Sequence, residues 1–185
     1  MPNISDSKIL IVATDGFEES ELFGPREILI DCGADVKLAS PALDPIQATV
    51  HDEPGKTIRP DMLIEDARAS DFDALILPGG VRNPDALRTN TAVIALIRDF
   101  ARAEKPVAAI CHGPWLLVEA DLVRGRTVTS WPSIRTDLRN AGGNVVDQAV
   151  AVDGNIITSR KPDDVEPFTN AVVQLVESAT EPASA

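Results

Sequence analysis

The stretch VAAICHGPW, residues 107–115, places a cysteine and a histidine directly after a hydrophobic run of strand length. Cys111 would lie at a strand-to-helix turn, where unpaired amides and the helix dipole lower a thiol pKa and favour the thiolate. His112 could then serve as a general base or as a charge partner of the thiolate. Buried cysteines are frequently inert, but the adjacent histidine and the position at a strand end favour a nucleophile here.

A carboxyl group could share a proton with this sulfur. Glu18 lies just past the first predicted strand, in TDGFEESEL. Partial burial beside a thiol would raise its pKa. The alternative is a first-turn acid that complements the helix dipole, as we expect for Glu19 and Glu21. The residues alone leave both interpretations of Glu18 open.

The segment LPGGVRNPD, residues 77–85, follows another predicted strand. Gly79 and Gly80 could bring backbone amides close to a developing oxyanion, or could serve only as a turn. Asn83 and Pro84 have the types expected for a helix cap and a first helical residue. Composition alone therefore favours a dipole-complementing role for Asp85.

Short apolar runs alternate with amphipathic ones along the chain, as in a parallel sheet covered by helices on both faces. Ligands of such sheets bind outside the carboxyl ends of the strands, which is where the residues above lie. The predicted strands are KILIVA at 8–13, ADVKLAS at 34–40, DALIL at 73–77 and PVAAI at 106–110, with helices ending near Cys32, over 91–105, after Gly113 and in the closing segment 161–179.

Two hairpins are predicted beside this sheet. Residues 48–61 alternate and contain Pro-Gly, so we expect a small peripheral hairpin in which His51 is an ordinary surface residue. Residues 145–159 predict a second hairpin that turns at 153–155. The polar tail, residues 180–185, is predicted to be disordered. We expect one domain over residues 1–185.

Composition excludes several classes of function. Seventeen basic and twenty-nine acidic residues give a net charge of −12, which would repel a nucleic acid scaffold. No apolar run approaches the roughly 20 residues that span a bilayer, and no secretory leader is visible, so we expect a cytoplasmic protein without a membrane partner. Cys32 and Cys111 are far apart, as in a reducing compartment, although one disulfide remains open.

Five segments together resemble the PfpI family of intracellular peptidases, glyoxalases and deglycases, within the class I glutamine amidotransferase-like superfamily. They are TDGFEESEL, DALILPGG, KPVAAICHGP, LVRGRTVTSW and DGNIITSRKPDD, and the likeness runs from about Lys8 to about Glu177. The resemblance implies a flavodoxin-like three-layer α/β sandwich with a mainly parallel central sheet. Glutamine amidotransferase activity is not expected, because those enzymes place a histidine well downstream of the cysteine and no histidine follows residue 112.

The resemblance also implies roles for individual residues. It places the nucleophile on Cys111, its partner on His112 and the oxyanion amides on Gly80 and His112. It places the buried glutamic acid that hydrogen-bonds the sulfur on Glu18. It further implies that Asp85 reaches the histidine of a neighbouring subunit, so that a dimer, or a hexamer built from dimers, completes the site. This reverses the interpretation of Asp85 drawn from composition.

Three functions fit these residues. The first is a cofactor-independent enzyme acting on reactive carbonyls such as methylglyoxal or their adducts, of the glyoxalase or deglycase type, in stress protection. The second is a cysteine peptidase or amidase with His112 oriented by Asp85. The third is a stress-response sensor or chaperone whose Cys111 is oxidised. Trp115 and Trp131 are candidate pocket residues, and no set of metal ligands is clustered in the sequence.

Overall fold

A computed structural model describes residues 3–179 of the chain. The predicted disorder of residues 180–185 lies outside the described residues. The bounds of the strands are β1 Lys8–Val12, β2 Phe17–Glu18, β3 Asp35–Ser40, β4 Ile46–Val50, β5 Glu53–Ile58, β6 Met62–Leu63, β7 Ala74–Leu77, β8 Val107–Ile110, β9 Thr127–Val128, β10 Asn144–Val145, β11 Val150–Asp153 and β12 Ile156–Ser159. The helices are α1 Glu19–Asp31, α2 Arg82–Leu87, α3 Thr91–Arg102, α4 Pro114–Glu119, α5 Arg135–Asn140 and α6 Val165–Ser178.

The central sheet has seven strands in the order β11-β12-β8-β7-β1-β3-β6. All neighbours in it pair in parallel except β11 and β12, which form an antiparallel hairpin. This hairpin covers the second part of the range predicted for it, 145–159, whereas Val145 pairs with β9 in a separate sheet. The carboxyl ends of β1, β7 and β8 therefore lie side by side at one edge. This arrangement confirms the predicted mainly parallel α/β sandwich.

Successive side chains of each strand point to opposite faces of the sheet, so the core has two layers. Leu10, Leu75 and Val107 pack on one face, together with apolar residues of α3, α4 and α5. Ile9 and Ile76 point to the opposite face, where they pack with α1 and α6. Because both faces are covered, the strands of the sheet centre are apolar along their whole length.

The first predicted hairpin forms as β4 and β5, joined by a two-residue turn at His51 and Asp52. It pairs with β2 in a separate three-stranded sheet, through Phe17–Ala48 and Glu18–Thr49. This pairing brings the turn of the hairpin to the site edge of the molecule. His51 is exposed, as predicted, but the hairpin that carries it is not peripheral, because its turn borders the candidate site.

Helix α2 also begins earlier than the sequence suggests. It starts at Arg82, so Asn83 lies within its first turn and does not cap it. The fully buried Asn83 side chain instead accepts from the N–H of Thr14 at 2.8 Å and donates to the carbonyls of Pro78 and Gly79, both at 3.0 Å. One amide thereby ties the end of β1 to the glycine loop after β7.

Candidate active site

Cys111 occupies the sharp turn between β8 and α4. Its backbone φ is +64°, a left-handed conformation that costs a non-glycine residue about 1–3 kcal/mol. The turn is fixed on both sides, because the N–H of Cys111 donates to Ser159 at 3.1 Å and its carbonyl accepts from Trp131 at 2.9 Å. Such strain persists only where the surroundings enforce it, which makes this position a candidate functional site.

The carboxyl group beside the thiol belongs to Glu21. This side chain is fully buried, interacts with the thiol of Cys111 and accepts from the N–H of Gly79 at 2.8 Å. A β-carbon at residue 79 would lie 2.6 Å from Oε2 of Glu21 and 2.8 Å from Cβ of Cys111. Only glycine therefore allows the carboxyl group and the cysteine to approach this closely.

The prediction that Glu18 contacts the sulfur is thus wrong. Helix α1 begins at Glu19, so Glu21 lies inside its first turn and faces the interior, whereas Glu18 keeps an extended backbone as the last residue of β2. The carboxylate of Glu18 accepts from the N–H of His51 at 3.1 Å. Burial raises the pKa of Glu18, and the hydrogen bond from His51 opposes this rise.

Burial has a larger effect on Glu21. It raises the pKa of this carboxyl group to about 8, partly opposed by hydrogen bonds from Cys111, Gly79 and Gly80. At neutral pH Glu21 therefore carries a proton that it can share with the sulfur.

The pKa of the Cys111 thiol is also raised, first by burial and then by the charge and hydrogen bonding of Glu21, while the amides of His112 and Gly80 favour the thiolate. The prediction of a lowered thiol pKa is wrong for this state of the protein, since burial outweighs the short helix α4. The two amides are those predicted to hold an oxyanion. Gly80 has a φ of +73°, and a β-carbon there would collide with the carbonyl of Gly16, so this turn also requires glycine.

His112 lies against Cys111. Its Nδ1 is 3.3 Å from Sγ of Cys111, and its Nε2 is 3.4 Å from Oγ of Ser133. Trp131 stacks on the ring at a centroid distance of 5.9 Å, and Trp115 meets it edge-on at 5.3 Å. Burial lowers the pKa of His112, so the neutral ring is available as a proton acceptor.

A cavity of about 440 Å³ opens onto these groups. Trp131 lines it, as predicted, but Trp115 does not. The indole of Trp115 instead donates to Asp137 at 2.8 Å. The cavity is also lined by residues that sequence reasoning missed or set aside: Glu21, His51, Asp52, Val81, Ser133 and Pro162. Glu21 is placed by the start of α1, and His51 and Asp52 are placed by the pairing of β2 with the hairpin. Neither feature has a distinct pattern in the sequence.

Asp85 lies outside this cavity. It is exposed in the first turn of α2, and it does not line the pocket of its own chain. Its predicted contact with the histidine of a neighbouring subunit stays a prediction. Within residues 3–179, Cys32 and Cys111 are both free, no group of three or more His, Cys, Asp or Glu side chains is arranged to hold a metal ion, and no helix is long and apolar enough to cross a membrane.

Known proteins are similar to this chain in sequence and in fold. Residues 7–175 match the family model described as "DJ-1/PfpI family". An uncharacterised protein of Archaeoglobus fulgidus is 42% identical over 92% of this chain and 98% of its own length. A Bacillus subtilis protein named "Putative cysteine protease YraA" is 41% identical over the same shares of the two chains.

Solved structures show a similar fold. The crystal structure of Drosophila melanogaster DJ-1beta superposes with a TM-score of 0.82 at 29% identity, over 93% of this chain and 94% of that one. A two-domain protein of Anabaena variabilis, with DJ-1/ThiJ/PfpI-like and ferritin-like domains, gives a TM-score of 0.88 at 32% identity. That superposition covers 97% of this chain but 52% of the Anabaena chain.

Proposed function

The chain belongs to the DJ-1/PfpI family, and on this premise we propose that it is a cysteine-dependent enzyme acting on small reactive carbonyl compounds, of the glutathione-independent glyoxalase or deglycase type. The observation that carries the proposal is the buried Glu21 carboxyl group, with a pKa of about 8, in contact with the thiol of a strained Cys111. An acid poised near neutral pH beside a nucleophile can transfer protons in both directions during a reaction.

The first proposed step is addition of the thiol to an aldehyde. The Cys111 sulfur bonds to the aldehyde carbon, the thiol proton leaves to His112, and the carbonyl oxygen becomes an oxyanion. The N–H groups of Gly80 and His112, which already favour negative charge on the sulfur, stabilise that oxygen until a proton reaches it. The product is a hemithioacetal.

The second proposed step is an internal redistribution of hydrogen. A base removes the proton from the hemithioacetal carbon of methylglyoxal, giving an enediol, and the neighbouring carbon is then protonated. In this proposal Glu21 and His112 exchange these protons, which is supported by the hydrogen bond between Glu21 and the thiol and by the 3.3 Å between Nδ1 of His112 and Sγ of Cys111. The result is a thioester, which water cleaves to lactate and free thiol. Oxidation at one carbon balances reduction at the other, so protein groups and water suffice and no cofactor takes part.

The test is conversion of methylglyoxal to lactate without glutathione by wild type and by Cys111→Ala. We expect turnover in the wild type and its loss in the variant, because the thiol forms the covalent adduct. Circular dichroism and thermal unfolding of both proteins exclude a folding defect. Equal lactate formation by the two proteins, or none by either, would overturn the proposal.

A second candidate is a cysteine peptidase or amidase, favoured by the name of the Bacillus subtilis relative. In this version His112 would be oriented by Asp85 of the partner subunit. The cavity has a volume typical of small-molecule sites, which favours the carbonyl substrate over an extended peptide. Cleavage of unfolded casein that is lost in Cys111→Ala would instead support the peptidase.

A further inference from the structure

The charges around the cavity have one sign. Glu18 and Asp52 line it, together with Glu21, which carries a proton at neutral pH, and the described lining residues include no lysine or arginine. His51 and His112 are the basic groups of the lining, and burial lowers the pKa of His112. An anion entering this cavity would therefore meet carboxylates without a permanent positive charge to offset them.

The acidic wall of the cavity consists of Glu18 and Asp52, and it is formed at the turn between β4 and β5. His51, at the first position of the turn, has a left-handed φ of +56°, which aims the chain back toward β5. The carboxylate of Glu18 holds this turn by accepting from the N–H of His51 at 3.1 Å. Asp52 follows directly and lines the cavity mouth as an exposed side chain. Glu18 therefore positions the turn, and Asp52 adds a charge where a substrate enters.

Three basic side chains close to the cavity are engaged in ion pairs. Arg160 pairs with Asp147 and Asp164 at 2.9 Å each, and Arg135 pairs with the same Asp147 at 2.9 Å. Lys161, next to the lining residue Pro162, pairs with Asp163 at 2.9 Å. These pairs neutralise the positive charges on that side, so they do not compensate the acidic wall.

We infer that the site selects uncharged carbonyl compounds against carboxylated or phosphorylated ones, and that Asp52 is a specificity-determining residue. The inference rests on the proposed function for the identity of the substrate, but the charge selection acts on any small molecule that approaches Cys111. It can therefore be measured on the thiol itself, without turnover.

Iodoacetamide and iodoacetate alkylate thiols and are similar in size, but only the second is an anion. The measurement is the alkylation rate constant of Cys111 with iodoacetamide divided by that with iodoacetate. Peptide mass spectrometry separates Cys111 from Cys32, and the ratio is normalised by the same ratio for 2-mercaptoethanol. The protonation state of the thiol affects the two rate constants equally, so it cancels in their ratio. We expect the normalised ratio to exceed one in the wild type.

Asp52→Asn should lower this ratio by about threefold to tenfold, as expected for one partly screened charge at the entrance. Asp66→Asn is the matched control, because it removes the same charge from an exposed residue outside the cavity lining, and it should leave the ratio unchanged. A wild-type ratio of one, or equal ratios in the wild type and Asp52→Asn, would overturn the inference.

Turnover separates this inference from the proposed function. Phenylglyoxal and its para-carboxy derivative form a matched neutral and anionic pair, and we expect a higher kcat/KM for the neutral compound, with the difference reduced in Asp52→Asn. Absence of turnover with both compounds would count against the carbonyl enzyme and leave the alkylation ratio to decide the charge selection. Equal turnover of both would support the enzyme and contradict the selection.

Discussion

At the scale of single residues, the proposed chemistry depends on the proton of Glu21. Glu21→Gln keeps an acceptor for the N–H of Gly79 but cannot release or take up a proton, so we expect kcat to fall about 10²-fold to 10⁴-fold. Glu18→Gln, which keeps an acceptor for the N–H of His51, should cost much less. The measurement is steady-state methylglyoxal turnover with both variants, and a smaller loss for Glu21→Gln than for Glu18→Gln would contradict the assignment.

The difference between these two glutamates shows where sequence reasoning stops. Cys111 and His112 are adjacent, and the apolar run before them predicts the strand end at which the structure places them. Glu18 and Glu21 are three residues apart, and only the start of α1 at Glu19 decides which one faces the interior. A shift of one or two residues in a helix boundary, which the sequence does not define, changes the acid that meets the sulfur.

At the scale of secondary structure elements, the site depends on two loops being held together. The Asn83 side chain joins the end of β1 to the carbonyls of Pro78 and Gly79, immediately before the amide that faces the sulfur. Asn83→Ala leaves the part-buried N–H of Thr14 and the carbonyls of Pro78 and Gly79 without this partner, which costs about 1–3 kcal/mol.

We therefore expect Asn83→Ala to lower the free energy of unfolding and also to lower kcat beyond what the remaining folded fraction explains. Urea unfolding gives the first quantity, and turnover at a temperature where the variant is fully folded gives the second. Asn90→Ala is a suitable comparison, because its side chain caps α3 away from the cavity. If the two variants lose the same small share of kcat, Asn83 is structural only.

The elements themselves were largely predictable. Apolar runs of strand length indicate the central strands, and the spacing of apolar residues in α3 and α6 indicates amphipathic helices. The position of the hairpin was not predictable, because its docking depends on pairing between β2, which has two residues, and β4. A strand this short has no periodicity of its own, so nothing in the sequence indicates that His51 and Asp52 reach the cavity.

At the scale of the whole molecule, the exposed Asp85 bears on assembly. If Asp85 of one subunit orients His112 of its partner, Asp85→Ala and Cys111→Ala should each be inactive alone but regain activity when mixed. In a random mixture of dimers about a quarter of all sites would be complete, because half the dimers are mixed and each has one intact site. Turnover after subunit exchange measures this.

The matched control for that mixture is Ser133→Ala. Oγ of Ser133 lies 3.4 Å from Nε2 of His112 in the same chain, so mixing Ser133→Ala with Cys111→Ala should restore nothing beyond the sum of the two. Equal behaviour of both mixtures would show that Asp85 does not act across subunits.

The pH dependence of stability is a second property of the whole molecule. Glu21 determines whether the free energy of unfolding rises or falls with pH. The folded protein keeps the proton of this carboxyl group up to a pKa of about 8, whereas the unfolded chain loses it near 4.5. Between these values the folded state binds more protons, so its stability falls as the pH rises. The full difference corresponds to roughly 5 kcal/mol and is reached above about pH 8.

Glu21→Gln removes this titration, so its free energy of unfolding should increase relative to wild type across the same pH range. Urea unfolding at several pH values measures the difference, which should be small near pH 4.5 and largest near pH 8. Glu27→Gln, an exposed residue of the same helix, controls for the loss of one charge and should show no such trend. A difference that does not change with pH would mean that Glu21 is ionised in the folded protein, and the proton shared with Cys111 would be absent.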